Sequence, residues 1–454
     1  MRSLLPDVIR GLACDYADIR VEQSERCRIV FRRREVDVVD RALDQGGCIR
    51  AFHRGNWGVA TFNCVDERLD ELARDTARRA EELPPQDIVL TSLGSREDSI
   101  RIPRSRDPRL VPFEAKHALI SHYNDILLET PGVVSTAATY LDAWRRTDFC
   151  SSEGRRIDQE SAHTGFSCQV YVRDGTNIQD YEDSFGKAQG FDSLRDREPV
   201  VERIGRIALD LLKAGPVPAG TYTVVVDPSL AGVLVHEAFG HLSEADYMAS
   251  DERLRELVKP GTRFGGDALT IVDDATLPGE RGSYVYDDEG VPGQRTDLVK
   301  HGVLTGRLHD RRSAAQMQDV PTGNGRALSY RFAPAVRMSN TFIEPDEANL
   351  DDMMEETESG LYVSGSRGGM TELETFTFSP QYAWVIEHGR RTRMVRDAML
   401  TGNVFRTLAN IDMIGDDLTL FGGIGGCTKA GQGPLPVGFG SPHLRIRDVT
   451  VGGR

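Results

Sequence analysis

Val235-His236-Glu237-Ala238-Phe239-Gly240-His241 follows an apolar run, Ala231 to Val235, and sets two histidines and a glutamate within six residues. On a helix such a set offers two imidazoles to zinc, and the glutamate beside the first is placed to activate water at the metal. The common spacing puts the histidines four apart, about 40° around the helix; five apart, as here, is about 140°. A regular α-helix would aim them away from each other, so a zinc site of this kind cannot be built on one. A single wide π-type turn, with i→i+5 pairing, returns them to one face. Gly240 is the residue expected to ease that distortion, at some cost in helix propensity. The stretch therefore reads either as a zinc-hydrolase helix with a π-bulge or as two unrelated histidines on a buried helix. Spacing alone leaves both open.

Immediately upstream, Thr221-Tyr222-Thr223-Val224-Val225-Val226-Asp227 reads as a buried strand feeding the helix. Downstream, glycine becomes frequent and the apolar runs short: residues 269–274, 298–306 and 383–390 resemble strands turned at glycine. His301 and His388 each precede a glycine and read as turn residues, not ligands. The second half is thus predominantly β, of sandwich or open-barrel type, carrying the histidine helix.

The first half reads as an antiparallel α+β domain. A helix at 7–12 precedes alternating strands at 18–22, 27–32 and 35–39, then a hairpin, 46–52 and 57–62, turned at Arg54-Gly55-Asn56. A helix follows from about residue 67 to 82. Arg32-Arg33-Arg34-Glu35 is a solvated turn. From Pro103 to Ala214 the pattern is mixed, with helical periodicity at 113–130 and 195–214. The Pro/Gly segment 215–220 marks the boundary between domains 1–215 and 216–454.

Composition removes several function classes. No apolar run approaches the roughly 18–20 residues that cross a bilayer, and the first residues have no apolar core of a secretion signal. A formal net charge of −15 argues against nucleic acid or an anionic membrane as partner. Seven scattered cysteines without a CxxC match a reducing cytoplasm. No glycine-rich turn joins a strand to a helix, so a nucleotide site is not expected. Gly165-Phe166-Ser167-Cys168-Gln169 lacks the closing glycine of a nucleophile elbow. His117 and His122 are five apart but lack a glutamate beside them, and read as surface or packing residues.

A catalytic zinc takes three protein ligands and keeps a fourth position for water. The third donor could be Glu244 or Asp246, a distant histidine, or a cysteine. One cysteine is placed unusually: Cys427 lies in Gly422-Gly423-Ile424-Gly425-Gly426-Cys427-Thr428-Lys429-Ala430-Gly431-Gln432-Gly433. Glycines there allow close backbone approach, and a thiolate suits zinc.

The ordered motifs resemble the TldD/PmbA family of metallopeptidases, in its TldD branch. They are His236-Glu237-Ala238-Phe239-Gly240-His241 with Glu244 and Asp246, Asp287-Asp288-Glu289-Gly290-Val291-Pro292, and Thr322-Gly323-Asn324-Gly325-Arg326. Cys427-x-Lys429-x-Gly431-Gln432, Pro436-Val437-Gly438 and Val449-Thr450-Val451-Gly452-Gly453 complete the set. Leu242 departs from it, standing where many relatives have glycine. The resemblance implies a zinc peptidase of short or unfolded, including modified, peptides. It carries the zinc ligands onto His236, His241 and Cys427, and the general base acting on a zinc-bound water onto Glu237. Glu244 and Asp246 would orient a ligand or meet substrate. It further implies a cytoplasmic dimer, with a PmbA/TldE-type relative (a branch that lacks the HExxxH set) or with a second copy. Competing readings are a zinc hydrolase of a small amide or C–N bond in a biosynthetic pathway, and a non-catalytic subunit of a family dimer.

Overall fold

β1 (Tyr16–Arg32) and β2 (Glu35–His53) are 17 and 19 residues long and pair antiparallel along their whole length. They replace the three short strands expected before residue 40. The polar stretch Gln23–Arg26 reads as a break in alternation. Cross-strand ion pairs, Arg26 to Asp40 at 2.9 Å and Arg41 to Glu25, together with pairing of β1 to the strand Val133–Ser151, keep it in the sheet. The expected hairpin is present, with β3 (Asn56–Phe62) returning along the end of β2.

The computed structural model describes residues 5–372 and 374–453, and it is a mixed α/β protein built on several sheets. The stretch with no clear pattern, beyond the helix Phe113–Leu128, holds three long strands: β5 (Val133–Ser151), β6 (Arg155–Asp174) and β7 (Asn177–Lys187). Their periodicity is masked because Thr136, Thr139, Asp142 and Thr147 are buried where apolar residues would be expected. Asp142 is neutralised there by Lys116 at 2.6 Å. The seven-stranded sheet runs β3-β2-β1-β5-β6-β4, where β4 is Arg96–Ile100 and β7 also pairs with β6. It is antiparallel except for β4 against β6. Phe113–Leu128 and Glu198–Lys213 pack on this sheet through Ile120, Tyr123, Leu127, Val201, Ile204 and Ala208. Ser167 lies in mid-strand on β6, opposite Thr139 and Ser184, and forms no elbow.

The second half is β-rich, as expected, and holds the histidine helix against its sheets. A ten-stranded sheet contains Gly220–Val226, with Ser359–Ser364 parallel on one side and Leu444–Gly452 antiparallel on the other. A six-stranded sheet contains Ile271–Asp274, Asn340–Ile343 and Gly438–Ser441. The helix Pro228–Val235 lies between the two. Leu230 and Leu234 face Val224, Val226, Phe376 and Phe378, while a Cβ on Gly232 would come within 2.9 Å of the Gly440 Cα. His301 and His388 occupy left-handed turn positions, φ 49° and 51°, each followed by a positive-φ glycine, in the turns expected for them.

Asp287-Asp288-Glu289 clasps the two halves together. Asp288 meets Arg20 of β1 at 3.1 Å and Arg145 of β5 at 2.8 Å, and Glu289 meets Arg50 of β2 at 2.7 Å. Asp287 accepts the backbone N–H groups of Glu289, Val291 and Gly325, which shapes the loop. Each of these carboxylates is buried, so its pairing decides whether the loop can be there at all. No helix among the described residues is long and apolar enough to cross a membrane.

Candidate metal centre

The helix that carries the site starts at Asp227, whose Oδ1 accepts the Leu230 N–H at 2.8 Å, with Pro228 at the first turn. It runs as regular α-helix to Val235 and then widens. His236–Gly240 is a π-turn: the N–H of His241 donates to the carbonyl of His236, five residues back. The wide turn that a two-histidine zinc site requires is present. Its glycine is there for a different reason from the one expected. Gly240 has ordinary helical dihedrals, φ −57° and ψ −51°, but a Cβ on it would meet the Met338 Sδ at 2.1 Å. Close approach, not backbone freedom, requires glycine. The chain leaves through one 3-10 turn, His241–Ser243, with Leu242 buried in the core.

The turn brings the two imidazoles face to edge, with ring centroids 5.3 Å apart. Cys427, from a strand 186 residues further along, places its Sγ 3.3 Å from His241 Nε2. Ligand atoms of His236, His241 and Cys427 all lie within 4.8 Å of one another. Donors about 2.0–2.3 Å from one tetrahedral zinc would be spaced on this scale. Glu237 is half-exposed beside them, its Oε2 3.9 Å from His241 Nε2. His236, Glu237, His241 and Cys427 therefore converge.

The donor chemistry also fits a cation. Burial alone would push the Cys427 thiol up, but hydrogen bonds and charge from His236 and His241 outweigh it and pull the thiol down to about 5. Burial alone would lower His241; bonding to Cys427 and Glu244 instead raises it to about 10. His236 is 5% exposed, and its enclosed Nδ1 has no hydrogen-bond partner in the protein. An anionic sulfur between two imidazoles is a donor set that a divalent ion would satisfy.

Glu244 and Asp246 differ in placement. Glu244 is fully buried, and its Oε2 accepts from His241 Nδ1 at 2.9 Å, leaving Nε2 of that ring facing Cys427. Its pKa is lowered although burial opposes this, because His241 and Lys429 favour the anion. Asp246 is a step further out and reaches no donor atom of the set. Its Oδ1 accepts from Lys429 Nζ at 2.6 Å, and burial outweighs that pairing to raise its pKa.

Lys429 is the residue that sequence reasoning missed. Its ammonium binds Glu244 Oε2 at 3.0 Å, Asp246 Oδ1 at 2.6 Å and the Val336 carbonyl at 2.9 Å, so each of its three donors is used. Cys427 and Lys429 are two apart on one strand and share a face, a signal the Cys-x-Lys spacing did offer. Arg337 was missed as well. Fully buried, it donates to the carbonyls of Cys427 at 2.6 Å and Gln432 at 3.2 Å, and so fixes the cysteine hairpin from behind.

Comparisons with known proteins agree in kind. Sequence profiles of PmbA/TldA metallopeptidase domain 1, central domain and C-terminal domain match residues 17–83, 106–214 and 219–453. A metalloprotease of Synechocystis sp. is 40% identical over 97% of this chain and 95% of its own length. A zinc metalloprotease TldD homolog of Saccharolobus solfataricus is 29% identical over 97% of each chain. The crystal structure of TldE from Thermococcus kodakarensis superposes with a TM-score of 0.78 at 19% identity over 97% of each chain, a likeness of fold.

Proposed function

This chain belongs to the PmbA/TldD metallopeptidase family, and on that premise we propose that it is a zinc-dependent peptidase of short or unfolded peptides. The observation that carries the reading is the convergence of His236, His241 and Cys427 donors within 4.8 Å, with Glu237 at their open side. His236, His241 and Cys427 would hold the ion, and two neutral imidazoles with one thiolate are a donor set zinc accepts. Zinc in such a site supplies a Lewis acid that polarises a carbonyl and lowers the pKa of water.

The protein's own groups do the rest. Glu237 takes the proton of the attacking water on one carboxylate oxygen and returns it to the leaving amine. Glu244 keeps the proton of His241 on Nδ1, so that Nε2 is the free donor. Arg337 and Lys429 hold the cysteine hairpin at the helix, which fixes the angle between the two arms of the site. The strand Gly369–Glu372 is an edge of the ten-stranded sheet and runs beside the π-turn. Its open side suits an extended peptide added in β fashion, and backbone pairing would make recognition largely independent of side chains. The same reading takes the active form as a dimer, with a PmbA/TldE-type relative or a second copy.

The test is Glu237→Gln. It should retain about one zinc per chain, the count one site of this kind holds, and lose hydrolysis of peptides. Turnover by that variant would remove Glu237 from its role, and full zinc occupancy in Cys427→Ser would remove Cys427 as third ligand.

A further inference from the structure

We propose that the cavity between β6 and the loop 275–293 is a second binding site, separate from the metal centre, for a carboxylate carried on an apolar body. The cavity measures about 810 Å³, and none of His236, Glu237, His241 or Cys427 lines it. Tyr284 of its wall stacks on Arg326 at 4.7 Å; Arg326 in turn donates to the Met338 carbonyl, and Met338 abuts Gly240. These packed side chains stand between the cavity and the metal centre.

The charge of the walls is unbalanced. Arg96 and Arg101 each have a carboxylate partner, Asp98 and Asp158. Glu160, the acid that lines the cavity, already faces Arg101 at 3.8 Å. Neither Arg106 nor Arg155 forms a salt bridge among the described residues, although the charge of nearby Glu153 favours the Arg155 guanidinium. Arg106 is half-buried. Arg155 is 5% exposed and spends its Nε and Nη1 on the carbonyls of Gly290, Leu93 and Gly94. Behind the wall, Arg281 is also 5% exposed, bonds only carbonyls and has an enclosed Nε without a partner. The pKa of His163, in the wall, is held down to about 3 by burial and then by Arg281, Arg326 and Arg145. Its imidazole is therefore neutral, and the positive charge belongs to the guanidiniums.

Arginines buried without a salt bridge recur among the described residues, Arg307 and Arg337 included, each held by carbonyls; Arg155 is the one of them that lines this cavity, in a chain with a net charge of −15. Desolvated guanidiniums gain most from a carboxylate, which they can meet in bidentate fashion. Ile100, Ile102, Leu277 and Val285 give the lining an apolar share beside Ser95, Gln159, Ser161 and Thr276, and that share favours an uncharged body over a small inorganic ion. Two sources share this chemistry: the C-terminal residue of a peptide and a free aromatic or aliphatic acid. The inference does not depend on the peptidase reading.

Calorimetric titration of the metal-free full chain tests it, with N-acetylphenylalanine, its amide, the tripeptide Gly-Gly-Phe and inorganic phosphate. The acid should bind, and the amide should bind at least about tenfold more weakly, the worth of one charge-assisted contact. Arg106→Ala, at a half-exposed position with little packing to lose, should weaken the acid by about tenfold or more and leave the circular dichroism unchanged. Binding of Gly-Gly-Phe beside the acid assigns the site to peptide C-termini; binding of the acid alone assigns it to free acids. Equal binding of acid and amide, phosphate as strong as the acid, no binding at all, or an unaffected Arg106→Ala would each overturn the proposal.

Discussion

His241 and Lys429 share one acceptor: Glu244 Oε2 lies 2.9 Å from Nδ1 of the histidine and 3.0 Å from Nζ of the lysine. The histidine belongs to the helix arm of the site and the lysine to the cysteine strand. One buried oxygen thus joins the two arms.

Removing that joint should cost metal before it costs fold. Lys429→Met keeps the length and apolar stem but leaves Glu244 and Asp246 without their cation. Zinc affinity should fall by about 10–100-fold, the usual price of losing a group that orients a ligand. Competition with a chromogenic chelator measures it, and wild-type affinity in Lys429→Met would show that the hairpin needs no such tie.

In metal-free protein Cys427 and His241 form a charged pair. The thiol is drawn from 9.0 down to about 5, so its stabilisation is complete above pH 9.0 and is lost as pH falls through about 5. The imidazole is drawn from 6.5 up to about 10, so its share is complete below pH 6.5 and is lost as pH rises through about 10. Together they favour the metal-free fold most between pH 6.5 and 9.0. Ultraviolet thiolate absorbance should persist at neutral pH, weaken there in His241→Ala, and vanish when His236 is replaced as well, since both imidazoles draw the thiol down. A thiol titrating near its ordinary value would refute the pair.

Gly240→Ala tests the contact beneath the π-turn. The added methyl would stand 2.1 Å from Met338 Sδ, and overpacking of this kind costs about 1–3 kcal/mol. Thermal melts should show that loss. Gly240→Ala combined with Met338→Ala should lose less than the sum of the two single variants, because the second change makes room for the first. Strict additivity would mean that the strain lies in the backbone.

Asp288→Ala leaves Arg20 and Arg145 facing each other without their shared anion. Urea unfolding should report a loss of about 3–5 kcal/mol, as expected when one member of a buried ionic cluster is deleted. Zinc affinity of the folded fraction should hardly change, since none of the donors touches the clasp. A stability within about 1 kcal/mol of wild type would place the clasp among weak surface pairs.

Much of the metal centre was legible in the sequence because its geometry is local. The five-residue spacing of His236 and His241 admits one turn type if both are to face one ion, and that turn is present. Cys427 was marked by its glycines. Lys429 escaped because a single lysine has many uses and its two carboxylate partners lie 183 and 185 residues away. The purpose of Gly240 was misread because Met338, the atom that excludes a side chain there, is on another element. The fold was less legible where polar groups are buried in pairs. β5 and β6 carry Thr139, Asp142 and Thr164 inward, and a partner such as Lys116 makes this tolerable without leaving any trace in local periodicity.

The donors on the helix and the thiol are separated by 186 residues of chain. At about 5–20 residues per second, a ribosome would need about 10–40 s to travel from one to the other. Through that interval the emerging polypeptide carries its glutamate and both imidazoles but no sulfur to close the set. On the proposed ligand set, a peptidase assembled in this order would lack hydrolytic power while it is itself an unfolded peptide beside other unfolded peptides. With Cys427 as the proposed third ligand, the late cysteine would act as a timer, delaying activity until the fold that could be its own first substrate is complete.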